Sequence, residues 1–298
     1  MIVRLWGTRG SLASSGPDTV GYGGNTSSVE IIGSNGGVLA LDAGTGMRRL
    51  GMAIAPETER VDILLTHLHM DHIQGLGFFA PLFRPLGEVH VWGPPSTTLD
   101  LRSRLARYLS PPLFPVRIRD LEARVMFHDV PDGPFRIGSF TVSADPIVHP
   151  GPTVGYRIEE HGAVVAYLPD HEPALGRDAV EPRWTSGYDL AAGADLLIHD
   201  AQYTAAERAE RVGWGHSAID EAVTFASNAG ARRLVLFHHD PAHDDSTLDR
   251  LSAAAVVEAE RLGGRTTVVG GREGDQYEVV ASASASTASG ASGASGAG

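Results

Sequence analysis

The sequence predicts an α/β fold, and three observations carry that prediction. From residue 195 onward, strand and helix patterns alternate. Before that point, short apolar or alternating segments of strand length follow one another, bounded by turn residues. The 298 residues, 42% hydrophobic and 20% charged, have the composition of a globular chain. That length suits one large α/β domain or two small ones.

In chain order, strands are expected at 2–6, 28–32 and 37–41. Between the first two lie Gly7-Thr8-Arg9-Gly10-Ser11 and Gly23-Gly24-Asn25-Thr26-Ser27. These lack the Gly-Lys-Ser/Thr ending of a phosphate-binding loop, so their glycines read as turn formers. Arg9 and Asn25 either face a site or serve the fold. Asp42 ends the third strand, and a helix is expected after Gly46. Ile63, Leu64 and Leu65 read as a buried strand. A helix opened by His72 is expected through Gly77, followed by a strand at 88–92 in which His90 is structural.

Residues 97–124 read as an insertion. A helical pattern carries Arg102, Arg104 and Arg107; a loop with Pro111, Pro112 and Pro115 then excludes a regular element. The segment is expected to cover the mouth of a site. Tyr108 or Phe114 would stack on a flat group and an arginine would meet a phosphate. A solvated helix and a homodimer contact is an equal alternative.

Strands follow at 124–129, 134–145, 152–159 and 163–168, the last two joined by a hairpin turn at Glu160-His161-Gly162. His128 and His161 have no obvious partners. The pattern then runs strand 195–199, helices 203–211 and 217–229, strand 232–237, helix 246–262, and strands 265–269 and 276–280. The domain is expected to span 1–280. Residues 281–298 contain only Ala, Ser, Thr and Gly and read as a disordered tail.

Composition excludes several functions. With no cysteine, disulfides, thiolate metal sites and a cysteine nucleophile are absent. No apolar run is long enough to span a bilayer. The chain enters a strand pattern at once, without the basic start and apolar segment of a signal peptide, so a cytoplasmic location is expected. A net charge of −12 disfavours a long polyanion as partner. A small anion held by metals meets less repulsion.

The chemistry is concentrated in Thr66-His67-Leu68-His69-Met70-Asp71-His72, directly after the buried strand. Residues two apart in extended chain point the same way, so His67 and His69 can share one metal. Asp71 and His72 can reach a second metal close by. Such nitrogen and oxygen ligands suit Zn, with Mn or Fe as alternatives.

This His-x-His-x-Asp-His pattern resembles the signature of the metallo-β-lactamase superfamily, and the resemblance extends over nearly the whole chain. It implies a four-layer αββα sandwich of two mixed β-sheets flanked by helices. It also implies further ligands, in order. His149 in Ile147-Val148-His149-Pro150 would join His67 and His69 on the first metal. Asp170 in Tyr167-Leu168-Pro169-Asp170 would bridge two divalent metals, although Pro169 stands where relatives often have Gly or Thr. His238 would join Asp71 and His72 on the second metal, with His239 as its rival. Asp42 would support the ligand loop without binding metal; a cap on the helix after Gly46 is the plainer role, and the two are not exclusive. Two metals sharing a water bring its pKa toward neutrality and so provide hydroxide. His171 is expected to point away from the ligands, His199 to be structural and His243 to be a loop residue.

His199-Asp200-Ala201-Gln202 and Gly215-His216-Ser217 stand where tRNase Z-like relatives carry two further motifs. By that resemblance Asp200 orients His216, which protonates the leaving oxygen; Asp71, His216 and Asp200 are the expected catalytic residues. A simple helix cap at His216 is the plainer alternative. The absence of Cys and the bridging Asp170 disfavour a lactamase. The tRNA-processing relatives typically insert a long basic arm between the residues matching His149 and Asp170, where this chain has a single hairpin. The expected activity is therefore a phosphodiesterase acting on a small phosphodiester, such as a cyclic nucleotide, through metal-bound hydroxide. The alternatives are a tRNA 3′-processing endoribonuclease and a thioester or other small-ester hydrolase. A metal-bearing binding module is the non-enzymatic rival.

Overall fold

A computed structural model describes residues 1–85, 87–173 and 181–281. The expected tail, apart from Ala281, lies outside the described residues. The first sheet is built from β1 (Ile2–Gly7), β2 (Ser28–Ile32), β3 (Val38–Leu41), β4 (Arg60–Leu64), β5 (Glu88–Gly93) and β6 (Arg124–Asp129). It is completed by β14 (Gln276–Glu278), which pairs with β1 and returns the last described strand to the first sheet. The second sheet holds β7 (Phe135–Ile137), β8 (Phe140–Pro146), β9 (Val154–Glu160), β10 (Ala163–Leu168), β11 (Leu196–Asp200), β12 (Arg233–Phe237) and β13 (Thr267–Gly270). Its order is β13-β12-β11-β10-β9-β8-β7. Both sheets are mixed. β3 to β6 run parallel in one, and β10 to β13 run parallel in the other.

Period-two patterning explains why the sheets stack. Val29, Ile31, Leu39 and Leu41 from the first sheet pack with Val165, Tyr167, Ile198, Val235 and Phe237 from the second. Successive residues point to opposite faces, so Val164, Ala166, Leu197, Leu234 and Leu236 turn outward. They bury against α4 (Tyr188–Ala191), α6 (Ile219–Ala229) and α7 (Asp245–Arg261). On the other side, Ala40, Val61, Ile63 and Val91 meet α1 (Met47–Ala53) and α3 (Leu101–Ala106). Helices therefore cover both outer faces, giving the expected αββα layering. β10 has every residue buried, as required of a strand covered on both faces. Two short helices, α2 (Met70–Ile73) and α5 (Ala205–Glu210), lie in loops near the strand ends.

Two local expectations are corrected. The single strand at 134–145 is a hairpin of β7 and β8, turning at Gly138 and Ser139. Gly138 has φ 55°, a conformation open to glycine at little cost. The helix expected to start at His72 starts at Met70 with His69 as its N-cap. It ends at Ile73, and short 3-10 turns continue beyond.

Candidate metal centre

The site gathers at the carboxyl ends of the parallel strands of both sheets. β3 leads to Asp42, β4 to the loop 65–69 and α2, β10 to Asp170, β11 to Asp200, and β12 to His238. The sheets are tied together at this end: the Tyr156 hydroxyl donates to Leu65 O at 2.7 Å, and Val154 N donates to Thr66 O at 3.0 Å. These bonds bring the His67 loop against the segment carrying His149.

His67, His69 and His149 present ring nitrogens to one another, with His149 Nε2 and His69 Nδ1 3.2 Å apart. Asp71, His72, Asp170 and His238 form a second, fully buried group. Asp170 lies between them. Its Oδ1 is 2.9 Å from His72 Nε2 and 3.3 Å from His238 Nε2. Its Oδ2 is 3.8 Å from His67 Nε2 and 3.7 Å from His149 Nε2. Asp71 Oδ2 sits 3.2 Å from His238 Nε2 and 3.3 Å from His72 Nε2. The structure thus brings all seven expected ligand residues into one cluster.

Whether this cluster fits cations is decided by its unmet bonding. His67 Nε2 is buried and forms no hydrogen bond, and Asp170 Oδ1 has only imidazole nitrogens beside it. Leaving such atoms unsatisfied is costly, so the arrangement is one an ion would complete. Asp42, Asp71, Asp170 and Asp200 are all buried, and among the described residues none is paired with an arginine. The chain contains no lysine. Burial, and then the neighbouring His72, hold His67 well below the usual imidazole range, leaving a lone pair to offer. Burial lowers His69 and His149 as well. At His72, burial opposes the charged form, but Asp170, Asp71 and Asp42 outweigh it and raise the pKa well above the usual value. That half of the cluster therefore favours positive charge. The residues fit divalent cations.

The opposite ring nitrogens are anchored from outside, which fixes the rings. His72 Nδ1 meets Asp42 Oδ2 at 2.7 Å; Asp42 also accepts from Thr66 N at 2.7 Å and from the Tyr167 hydroxyl at 3.0 Å. Asp42 therefore holds the ligand loop and does not cap α1, whose N-cap is Gly46 with no side-chain bond. His238 Nδ1 meets Gln202 Oε1 at 2.9 Å, and His149 Nδ1 donates to Gly215 O at 2.9 Å. Asp71 Oδ2 accepts from Ser11 N at 2.8 Å.

Asp200 and His216 also meet. Asp200 Oδ2 lies 2.7 Å from His216 Nδ1, and its Oδ1 accepts from Gln202 N and Ser217 N, each at 3.1 Å. Burial works against protonated His216, but Asp200 overcomes it, and the pKa is raised to about 9. The ring stacks on His238 at 5.0 Å and lies 5.1 Å from His149, so it borders both halves of the cluster.

Several residues lie elsewhere than a site role would need. His239 is turned away from the cluster and donates to Gly271 O at 2.9 Å; burial drives its pKa down to about 3. His171 and His199 pair with each other at 2.9 Å. Arg9 is fully buried and donates to Gly23 O, Asp240 O and His243 O, and Asn25 is bound to Glu273. Neither faces the cluster. Phe114 is not available for stacking: it is buried against Gly77 and Phe78. His128 does have a partner, His90 at 3.0 Å, because β5 and β6 are neighbours.

One residue of consequence gave no sequence signal. Glu172 is fully buried, accepts from Gly213 N at 2.8 Å and Gly215 N at 2.7 Å, and pairs with Arg208 at 2.7 Å. It fixes the loop whose Gly215 carbonyl holds His149 and whose next residue is His216.

Residues 39–239 match the beta-lactamase superfamily domain. The chain belongs to that superfamily. Its architecture, its cluster and its relatives make it a metal-dependent hydrolase of the metallo-β-lactamase fold, similar to the ribonuclease Z proteins. Ribonuclease Z from Mycolicibacterium gilvum is 28% identical over 261 residues, spanning 78% of this chain and 84% of that protein. The short form of human tRNase Z superposes with a TM-score of 0.63 at 22% identity, covering 93% of this chain and 98% of the other. Yeast PDE1 gives a TM-score of 0.65 at 12% identity, covering 92% and 98%. Among the described residues, no helix of this superfamily member is long and apolar enough to cross a membrane.

Proposed function

We propose that the chain is a phosphodiesterase acting on a small phosphodiester with the help of two divalent ions, zinc first, with manganese or iron as alternatives. His67, His69 and His149 would hold one ion, Asp71, His72 and His238 the other, and Asp170 would touch both. The observation that carries this reading is Asp170 itself, whose two oxygens face two different groups of imidazoles. When bound, such ions supply acidity to a water molecule and positive charge against the phosphoryl oxygens.

The chain's own residues do the rest. Asp200 fixes His216 through Nδ1, and no described residue bonds the other ring nitrogen. That nitrogen is the proton donor to the leaving oxygen. Such a general acid contributes ~10²–10⁴-fold where the leaving group is an alkoxide. His216→Ala is therefore expected to slow alkyl esters by about that factor and aryl esters far less. Equal losses on both would remove the acid role.

The tRNA 3′-processing reading is favoured by the relatives named ribonuclease Z. Against it, only the β9–β10 hairpin lies between His149 and Asp170, and the chain carries −12 overall. A substrate panel decides, with metal content measured on the same sample. The expected result is turnover of cyclic nucleotides or a bis-aryl phosphate. Cleavage of tRNA precursors, with neither of those turned over, would overturn it. Fewer than two ions per chain and no ester hydrolysis would instead favour a binding module.

A further inference from the structure

At the end of the sandwich away from the metal cluster, a cavity of about 350 Å³ opens where the two sheets meet. Asp195, Arg232, Arg233, Arg265, Thr267 and Glu278 line it. The first five stand at or just before the amino ends of β11, β12 and β13, and Glu278 ends β14 of the other sheet. β11 ends at Asp200, and β12 leads to His238. The length of β11 therefore separates this cavity from the centre, about 17 Å of extended chain between Asp195 and Asp200. No residue of the metal cluster or of the Asp200–His216 pair lines it.

Strand register assembles the three arginines. Arg233 lies opposite Thr267 in the β12–β13 ladder, Thr267 N donates to Arg232 O at 2.9 Å, and the Thr266 hydroxyl donates to Ala231 O at 2.8 Å. These bonds keep the segment carrying Arg265 beside Arg232 and Arg233. Two of the guanidiniums are oriented from behind. Arg232 Nη1 donates to Asp195 Oδ1 at 3.1 Å, and that buried carboxylate is itself fixed by Val164 N at 3.0 Å. The Arg233 guanidinium lies over the Tyr277 ring, 5.7 Å from its centre. Arg265 is exposed and has no ion pair or side-chain hydrogen bond among the described residues. Three arginines thus share one cavity with two carboxylates, a local positive excess in a chain of net −12.

We propose that this cavity is a second ligand site, for a compact polyphosphate group, either inorganic or at the end of a nucleotide. Arginine forks match phosphoryl oxygens bidentately, and guanidiniums that are already oriented lose less freedom when they bind. The volume is that of a small-molecule site, ~300–1,000 Å³, rather than of a single ion. An apolar ligand would leave the guanidiniums unanswered. A long nucleic acid would need a basic track along the surface, and the net charge opposes one. The inference does not rest on the phosphodiesterase reading, because the two sites share no residue.

The test titrates tripolyphosphate calorimetrically into the native protein and into Arg233→Ala, Arg265→Ala and Arg48→Ala. Arg48 is an exposed arginine of α1 and serves as the control. Loss of a charge-assisted contact is expected to weaken binding ~10-fold or more in the first two variants and to leave Arg48→Ala at the native affinity. Anion binding at the metal cluster is common to all four proteins, so it cannot produce that pattern. Equal affinity in all four assigns the anion to the metals alone and overturns the proposal. Equal weakening in all three variants means diffuse charge and overturns it as well, as does an absence of binding to the native protein. Arg265→Ala should melt at the native temperature without ligand, which separates lost binding from lost folding. Orthophosphate is expected to bind ~10-fold more weakly than tripolyphosphate; equal affinity would reduce the cavity to a single-ion site and overturn the polyphosphate assignment. Adenosine triphosphate in the same series names the source: binding tighter than that of tripolyphosphate marks a nucleotide, and weaker binding marks the inorganic chain.

Discussion

His238 and Asp42 have φ of 60° and 55°, a region that residues other than glycine occupy only at a cost, of order 1–3 kcal/mol. In both, the surroundings impose the conformation. His238 is gripped by Gln202, and Gly10 is packed so tightly on its ring that a Cβ there would lie 2.3 Å from Nδ1. Gly10→Ala is therefore expected to displace His238 while the sheets remain intact. Metal content per chain should fall, with an unchanged far-ultraviolet dichroism spectrum; full metal content in the variant would show that the ring has room to move. Only part of this was legible in the sequence. His67 to His72 announce themselves because six adjacent residues hold four candidate ligands. Gln202, Ser11 and Glu172 are silent because ordinary polar residues acquire their role only through tertiary contacts. Phe114 misled because an aromatic residue in a proline-rich loop looks exposed, and here it fills space against Gly77.

At the level of elements, the loop from Arg211 to Ser217 depends on a buried ion pair. Glu172 and Arg208 are 0% and 8% exposed in their side chains, and Arg208 also lies 3.4 Å from Glu221. Removing Arg208 strands the Glu172 charge, and removing Glu172 leaves Arg208 with only the longer Glu221 contact; breaking a buried pair typically costs ~3–5 kcal/mol. Glu172→Gln and Arg208→Met should each lower the free energy of unfolding by about that amount, as measured with denaturant. The double variant should lose less than the sum of the two; strict additivity would mean that the pair is not coupled. The strand pattern was readable because the segments are short alternating runs, as in β1 and β8, or short continuous apolar runs, as in β10 and β12, bounded by turn residues. The split of 134–145 was not, since its Gly-Ser turn interrupts the alternation for only two residues. The pairing of His90 with His128 was hidden for a different reason: strand neighbours far apart in sequence leave no local mark.

At the level of the molecule, four buried carboxylates converge where the two sheets meet. Cations bound only by the folded chain stabilise it by mass action. Chelation should lower the melting temperature, by about 2–4 °C for each kcal/mol of binding free energy removed, and refilling with zinc should restore it. An unchanged melting temperature after verified metal removal would mean that the cluster folds as well without its ions. The αββα layering was foreseen from the family resemblance. The pairing of β14 with β1, which closes the first sheet, joins residues more than 270 positions apart, and no local pattern specifies it.

The cluster stands on strand tips, while the segment that connects β5 to β6 borders His67 and His69 through Thr98 and Arg104. Leu101, Leu105, Phe114 and Ile118 of that segment are buried together with Ile63, Leu65 and Ile73, so the packing beneath the ligand loop includes the rim itself. A change at the rim is therefore also a change in the footing of the imidazoles.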